Sequence, residues 1–284
     1  MELICTKCKS RLTQQGHSLK CDGCGEVYAI INGVPVFFNA AENKYLKDEI
    51  EWHKSTKGVD TIHEYAHRAA RDKIEVKLKE LNADGNTKIL SVGVGEGLDV
   101  EFIEKITNKI VGLDISRDAL TYFKDKYGYE AVVAEAREIP FPDNSFDFVI
   151  ISGLLHHIVG YGEIEGYLKE FRRVLRRSGY LIVVEPNILY PIALLMFPIN
   201  SIMQKVRPMW GGKVPHERSL SAFYIANKLK KVGFIDIKFE ATTYCHNKYP
   251  LFINIFLEKI GKYVRKTILK YFGWWFIFQA KKAD

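Results

Sequence analysis

The chain has 284 residues, of which 47% are hydrophobic and 26% charged, the balance of an ordinary globular protein rather than a low-complexity or multi-pass membrane chain. Its net charge of +7 suits an anionic partner such as RNA or a membrane surface, but is equally usual among cytosolic proteins. The longest apolar stretch, "ILYPIALLMFPINSIM", is interrupted by Pro191, Pro198 and Asn200 and falls short of the roughly 20 residues that span a bilayer.

The N-terminus, "MELICTKCKS", has cysteines and lysines where an export signal needs an apolar core, so a cytoplasmic location is expected. Four of the five cysteines lie in the first 24 residues. Cys5 and Cys8, in "CTKC", and Cys21 and Cys24, in "CDGC", form two knuckles separated by twelve residues. Without an export signal, two such pairs point to metal ligation rather than disulfides. Four thiolates close a tetrahedral shell suited to Zn2+, which leaves no open position for chemistry and makes the metal structural. Metal binding also supplies what a module of this size lacks in core. His17 reads as a solvated side chain. "EVYAIINGVPVFF" then alternates as a strand, turns at Asn32-Gly33 and resumes as a second strand, closing a zinc ribbon over residues 1–40.

Residues 41–85 read as a charged helical linker, with Ile74, Leu78 and Leu81 on one face. "NADGN" breaks it, and residues 86–284 alternate strand-like and helix-like segments, from "KILSV" to "GYLIVVEP". That order argues for a parallel sheet covered by helices on both faces. The loop "SVGVGEG" joins the first strand of the sheet to a helical "LDVEFIEKI". Glycines at alternate positions are costly inside a regular element and here lie at the carboxyl edge of the sheet, where open α/β sheets bind ligands. Seventeen residues after Gly97, Asp114 ends the next strand, "KIVGLD", where a carboxylate can accept both hydroxyls of a ribose. A nucleoside ligand follows from the residues alone, although dehydrogenases use a similar loop.

The segment "AEAREIPFPDNSFDFVIISGLLHHI" distinguishes the two. With the glycine loop it resembles the class I S-adenosylmethionine-dependent methyltransferases, in the branch that joins its third and fourth strands by an "lPFpdnsFDvV" loop, over about residues 88–186. The ribbon likewise resembles those that precede the catalytic domain in a subset of methyltransferases, one group of which modifies guanines of ribosomal RNA. The resemblance implies a Rossmann-like, seven-stranded sheet and S-adenosyl-L-methionine as cofactor. It implies that Gly93, Gly95 and Gly97 line the methionine part and that Asp114 binds the ribose. Ile115 packs on the adenine, Glu135 and Ala136 meet its edge, and Ser152 and Gly153 face the reacting centre. Ser91 stands where the family usually has an acidic residue; Glu96 and Asp99 are the nearest carboxylates. His156 and His157, just beyond the fourth strand, are candidate general bases.

Beyond "VVEPN" two insertions, about 188–218 and 244–273, are apolar and aromatic. The second carries Lys259, Lys262, Arg265, Lys266 and Lys270. They favour a small, apolar or lipid-linked methyl acceptor and a peripheral contact with a membrane. RNA base methylation is the alternative, carried by the ribbon and the charge, against which stands the want of a basic-aromatic stripe. A non-catalytic cofactor-binding module is the third reading, carried by Ser91. The acceptor atom and the oligomeric state do not follow from the residues.

Overall fold

The computed structural model describes residues 1–38, 61–191, 193–195, 199, 202, 220–246 and 249–284. The first half of the linker and most of the first insertion lie outside these residues. Four short strands open the chain: β1 (Leu12–Gln15), β2 (Ser18–Cys21), β3 (Val27–Ile31) and β4 (Val34–Val36). The β3–β4 turn takes positive φ at both Asn32 and Gly33, the conformation that a two-residue hairpin requires. Seven strands follow: β5 (Ile89–Val92), β6 (Ile110–Asp114), β7 (Glu130–Val133), β8 (Phe146–Ser152), β9 (Leu175–Pro186), β10 (Phe234–Thr243) and β11 (Trp275–Lys282).

These seven run in the order β7-β6-β5-β8-β9-β11-β10, with β11 antiparallel to both neighbours. This is the α/β sheet expected, with the order reversing at β5 and β8, the point where such sheets place ligands. One feature goes beyond expectation: the ribbon continues the sheet. β4 pairs in parallel with β7 through Val36 and Val133, the Phe37 amide donates to the Val133 carbonyl at 2.8 Å, and eleven strands form one ladder. β7 would otherwise be an open edge.

Among the described residues, helices with both ends defined are α1 (Thr61–Arg71), α2 (Lys73–Glu80), α3 (Val100–Ile103), α4 (Arg117–Tyr127), α5 (Leu155–Ile158), α6 (Glu165–Val174), α7 (Ala222–Lys231) and α8 (Leu251–Val264). One buried cluster packs α1 to α4 on one face of the sheet through Ala70, Ile74, Leu78, Val100, Ile103 and Phe123. The other packs α6 and α7 on the opposite face through Leu168, Phe171, Ile225 and Leu229. Ser116 caps α4 by accepting from the Ala119 amide, and Asp147 fixes the start of β8 by accepting from the Lys88 amide and Arg176. The helix expected over "LDVEFIEKI" is a correction: α3 is a single turn. Asp99, at its N-terminus, makes no capping bond there, because its carboxylate goes to Arg71 instead.

Between α1 and α2, Asp72 has a buried carboxyl oxygen with no hydrogen-bond partner. Burial pushes its pKa up to about 6; Lys73 opposes this, and Glu258 reinforces it. A folded-state pKa above the unfolded one means that folding is favoured by acidification from about pH 6 toward pH 4 and burdened above it. Asp72→Asn is therefore expected to stabilise the protein at pH 7 by about 1–2 kcal/mol, two pKa units discounted for partial exposure. It should also flatten the pH dependence of denaturant melts between those limits; a loss of stability at pH 7 would contradict the assignment.

Candidate active site

The glycine loop rises from the carboxyl end of β5 with Gly93, Gly95 and Gly97 all at positive φ, yet the three face different surroundings. A Cβ added at Gly97 would meet the Tyr127 ring at 2.5 Å, so this glycine lets α4 close on the loop. At Gly93 it would meet Leu154 at 3.1 Å. At Gly95 it would meet nothing within 4 Å, so this glycine borders open space. The Gly95 amide donates to Asp114 Oδ2 at 2.8 Å, and the Ser116 amide donates to Asp114 Oδ1 at 2.8 Å. The carboxylate is thus aimed across the loop from the end of β6, with the half-buried Ile115 beside it. Ala136 is buried in the core, and Glu135 is held by Arg137 at 2.6 Å and Tyr167 at 3.4 Å.

Ser91 and Ser152 end adjacent strands, are buried, and carry hydroxyls without hydrogen-bond partners. Both lie toward the carboxyl of Asp99. Asp99 is in turn paired with Arg71 Nε at 3.0 Å, and the Arg71 guanidinium lies over the Trp275 ring at 5.2 Å. Burial pushes the Asp99 carboxyl up and the neighbouring Arg71 charge pulls it back down. Of the two carboxylates nearest to Ser91 in the sequence, Asp99 is buried beside it, whereas Glu96 is exposed.

Beyond β8, Gly153 takes φ +70, and a Cβ there would lie 3.4 Å from Trp275 and 3.7 Å from His156. His156 Nδ1 stands 2.7 Å from Glu185 Oε2. The other oxygen of Glu185 accepts the amides of Leu154 at 2.8 Å and Leu155 at 2.6 Å, and Glu185 itself is fully buried. A carboxylate oxygen at this distance accepts from Nδ1 when the ring carries its proton there, so the contact bears on which tautomer the imidazole adopts. The His157 ring lies 4.1 Å from that of His156 and is less buried. On the other side of Trp275, Trp274 contacts His246 at 4.8 Å, and His246 stacks on Tyr190 at 5.7 Å. Tyr190 in turn hydrogen-bonds the Tyr249 hydroxyl at 2.9 Å. These side chains build an aromatic wall next to the strand ends.

Residues 90–183 match the family model described as a methyltransferase domain. A probable S-adenosylmethionine-dependent methyltransferase of Mycobacterium tuberculosis is 27% identical over 150 residues, 52% of this chain and 49% of that protein. Residues 90–183 carry a methyltransferase domain. The chain spans about half the length of that relative. A demethylmenaquinone methyltransferase of Chlorobaculum tepidum is 28% identical over 174 residues, 61% of this chain and 60% of the relative. The crystal structure of an S-adenosylmethionine-dependent methyltransferase from Thermotoga maritima superposes with a TM-score of 0.53 at 19% identity, over 77% of this chain and 91% of that one, a likeness of fold.

Three residues of the candidate site escape sequence reasoning. Glu185 reads as the end of a strand, Arg71 as a charged position in a linker, and Trp275 as the start of a strand. For Glu185 a signal exists: a carboxylate inside an otherwise apolar run, "LIVVEP", needs a buried partner.

At the far edge of the sheet, the sulfur atoms of Cys5, Cys8, Cys21 and Cys24 all lie within 4.8 Å of one another. Tetrahedral Zn–S bonds of 2.3 Å place sulfurs about 3.8 Å apart, and the Cys5–Cys24 and Cys8–Cys21 pairs stand at 3.6 and 3.3 Å. The donor set fits the metal. Hydrogen bonds from Ser10 lower the Cys8 thiol to about 6. His17 is exposed.

Proposed function

We propose that the protein transfers the methyl group of S-adenosylmethionine to a small, apolar or lipid-linked acceptor, with His156, held by Glu185, as the base that takes the acceptor's proton. The observation that carries this reading is the meeting, at neighbouring strand ends, of an open glycine loop braced on Asp114 with a buried histidine–carboxylate pair. The cofactor fits the residues: space at Gly95, a carboxylate at the end of β6, and orphaned hydroxyls on Ser91 and Ser152. When bound, it supplies an already activated methyl sulfonium. Gly93, Gly95, Ser152 and Gly153 would hold its amino-acid end, Asp114 its ribose, and Ile115, Glu135 and Ala136 its adenine, while Gly97 serves the loop through α4.

What remains for the chain's own residues is orientation, worth on the order of 7–11 kcal/mol for an aligned pair of reactants, and removal of one proton. The Glu185 carboxylate sets the His156 tautomer and stabilises the imidazolium that forms. The His157 ring lies tilted against that of His156 and supports it. The apolar acceptor is supported by the wall of Trp274, Trp275, Tyr190 and Tyr249, and by the likeness to the demethylmenaquinone methyltransferase of Chlorobaculum tepidum. The four cysteines hold structural zinc in the ribbon.

Calorimetric titration with S-adenosylhomocysteine tests the cofactor. Gly95→Val places a side chain in open space, at a backbone cost of at least about 1–2 kcal/mol because valine is β-branched and φ is positive, and a thermal melt checks that the variant is folded. Its affinity is expected to fall by about 100-fold or more as it occupies the ligand's room. No heat with the wild-type protein, or equal affinity in the variant, would remove this assignment.

A further inference from the structure

α8 is apolar around most of its circumference, through Leu251, Phe252, Ile253, Ile255, Phe256, Leu257, Ile260 and Val264. A helix of that kind belongs in an interior, yet one side of this one is open. Phe252 is 72% exposed, Phe256 60% and Tyr263 62%, and at 100° per residue they share one face with Leu251 and Ile255. The residues of α8 that are fully buried are Asn254 and Gly261.

The helix is pinned in this orientation. Asn254 accepts from the His246 amide at 2.9 Å and donates to the carbonyls of His246 and Tyr249 at 3.1 and 3.3 Å. Arg265 donates to the Thr242 carbonyl at 2.7 Å, and the Glu258 carboxyl turns inward toward Thr243 and Cys245. Rolling the phenylalanines inward would break all of these bonds. Past the helix, Ile268 is 71% exposed and Leu269 is also exposed.

The charges on this surface have one sign. Lys259, Lys262 and Lys266 are exposed among the apolar side chains, and Lys270 borders them. Glu258, which faces inward, is the single acidic residue between Tyr249 and Gly273. A second copy brought against this face would set lysine against lysine. An anionic lipid surface answers both features, since rings and aliphatic chains enter the acyl boundary while ammonium groups stay among the headgroups. We propose that the outer face of α8 and the following turn dock the protein on an anionic bilayer. The consequence for catalysis rests on the acceptor reading above. Asn254 ties α8 to His246, and His246, Trp274 and Trp275 lead in successive ring contacts to Gly153. Docking there sets the aromatic wall against the lipid, where an apolar acceptor is dissolved.

Cosedimentation of the full chain with vesicles of phosphatidylglycerol and phosphatidylcholine, against phosphatidylcholine alone, tests the docking. The expected result is partitioning at least about tenfold stronger onto the anionic vesicles, weakened by 0.5 M salt. The double variant F252S/F256S should lose about tenfold or more, and K259E/K262E/K266E the preference for phosphatidylglycerol. All should bind S-adenosylhomocysteine as the wild type does, because none touches the glycine loop. Wild-type protein that ignores both vesicles, or F252S/F256S that partitions like wild type, overturns the proposal. So does a solution dimer that F252S/F256S dissociates while no vesicle is bound. Vesicle binding without any heat from S-adenosylhomocysteine would sink the methyltransferase reading and leave the docking standing.

Discussion

Glu185→Gln is expected to reduce methyl transfer by about 10²–10⁴-fold while leaving cofactor affinity within about threefold of wild type. The geometry makes this substitution informative. Glutamine can keep its amide oxygen on the Leu154 and Leu155 amides, which Glu185 Oε1 now accepts at 2.8 and 2.6 Å, so α5 stays in place. Its other end becomes an NH2 facing His156 Nδ1, where the carboxylate stands at 2.7 Å. A donor there forces the imidazole to accept at Nδ1 and to carry its proton on Nε2, the wrong tautomer for a base. His156→Ala should give a similar loss in kcat. Glu185→Ala is the poorer probe, because it orphans two buried amides and costs stability as well. If Glu185→Gln turned over at the wild-type rate with an unchanged pH profile, the pair would be a structural brace and the acceptor would need no base from it.

Part of the candidate site's geometry was legible before the fold was known, and what was legible and what was not have physical reasons. The glycine loop and Asp114 belong to one strand–loop–helix–strand unit, so their relation is encoded in local spacing. Asp114 does meet Gly95 across the loop. The distinction among the three glycines was not legible: Gly97 answers to a tyrosine 30 residues away and Gly95 to empty space, and spacing carries no information about either. The Arg71–Asp99 pair joins a helix that precedes the sheet to a loop within it. No periodicity predicts which basic residue of a charged helix turns inward. Ser91 read as a departure that weakened the enzyme assignment, but the fold brings the Asp99 carboxylate to the same end of β5. Glu96 and Asp99 were both candidates by spacing, and which of the two lies buried toward Ser91 is visible only once the chain is closed. The ribbon was legible as a module from its cysteines and its Asn32-Gly33 turn, yet its docking was not, because a single parallel pairing between Val36 and Val133 leaves no mark in either segment.

That docking makes zinc removal the other large effect. The ribbon's interior is little more than Cys5, Leu19, Cys21 and Tyr28 with partly buried Leu3, Leu12, Ile30 and Phe37, too little to offset the entropy of ordering such a module. A metal contribution of roughly 10–16 kcal/mol decides whether it folds. One zinc per chain is expected by elemental analysis, lost in Cys21→Ser and on treatment with a strong chelator. Without it, amide exchange should become fast through β1 to β4 and in β7, which loses its pairing with β4 and becomes an exposed edge prone to association. The glycine loop stands on β5, two strands inward from β7, so S-adenosylhomocysteine should still bind with nearly its wild-type affinity. Slow exchange throughout the metal-free ribbon would show that zinc is dispensable to it. Loss of cofactor binding together with the metal would show instead that the ribbon supports the whole sheet, and that the two halves of this ladder fold as one.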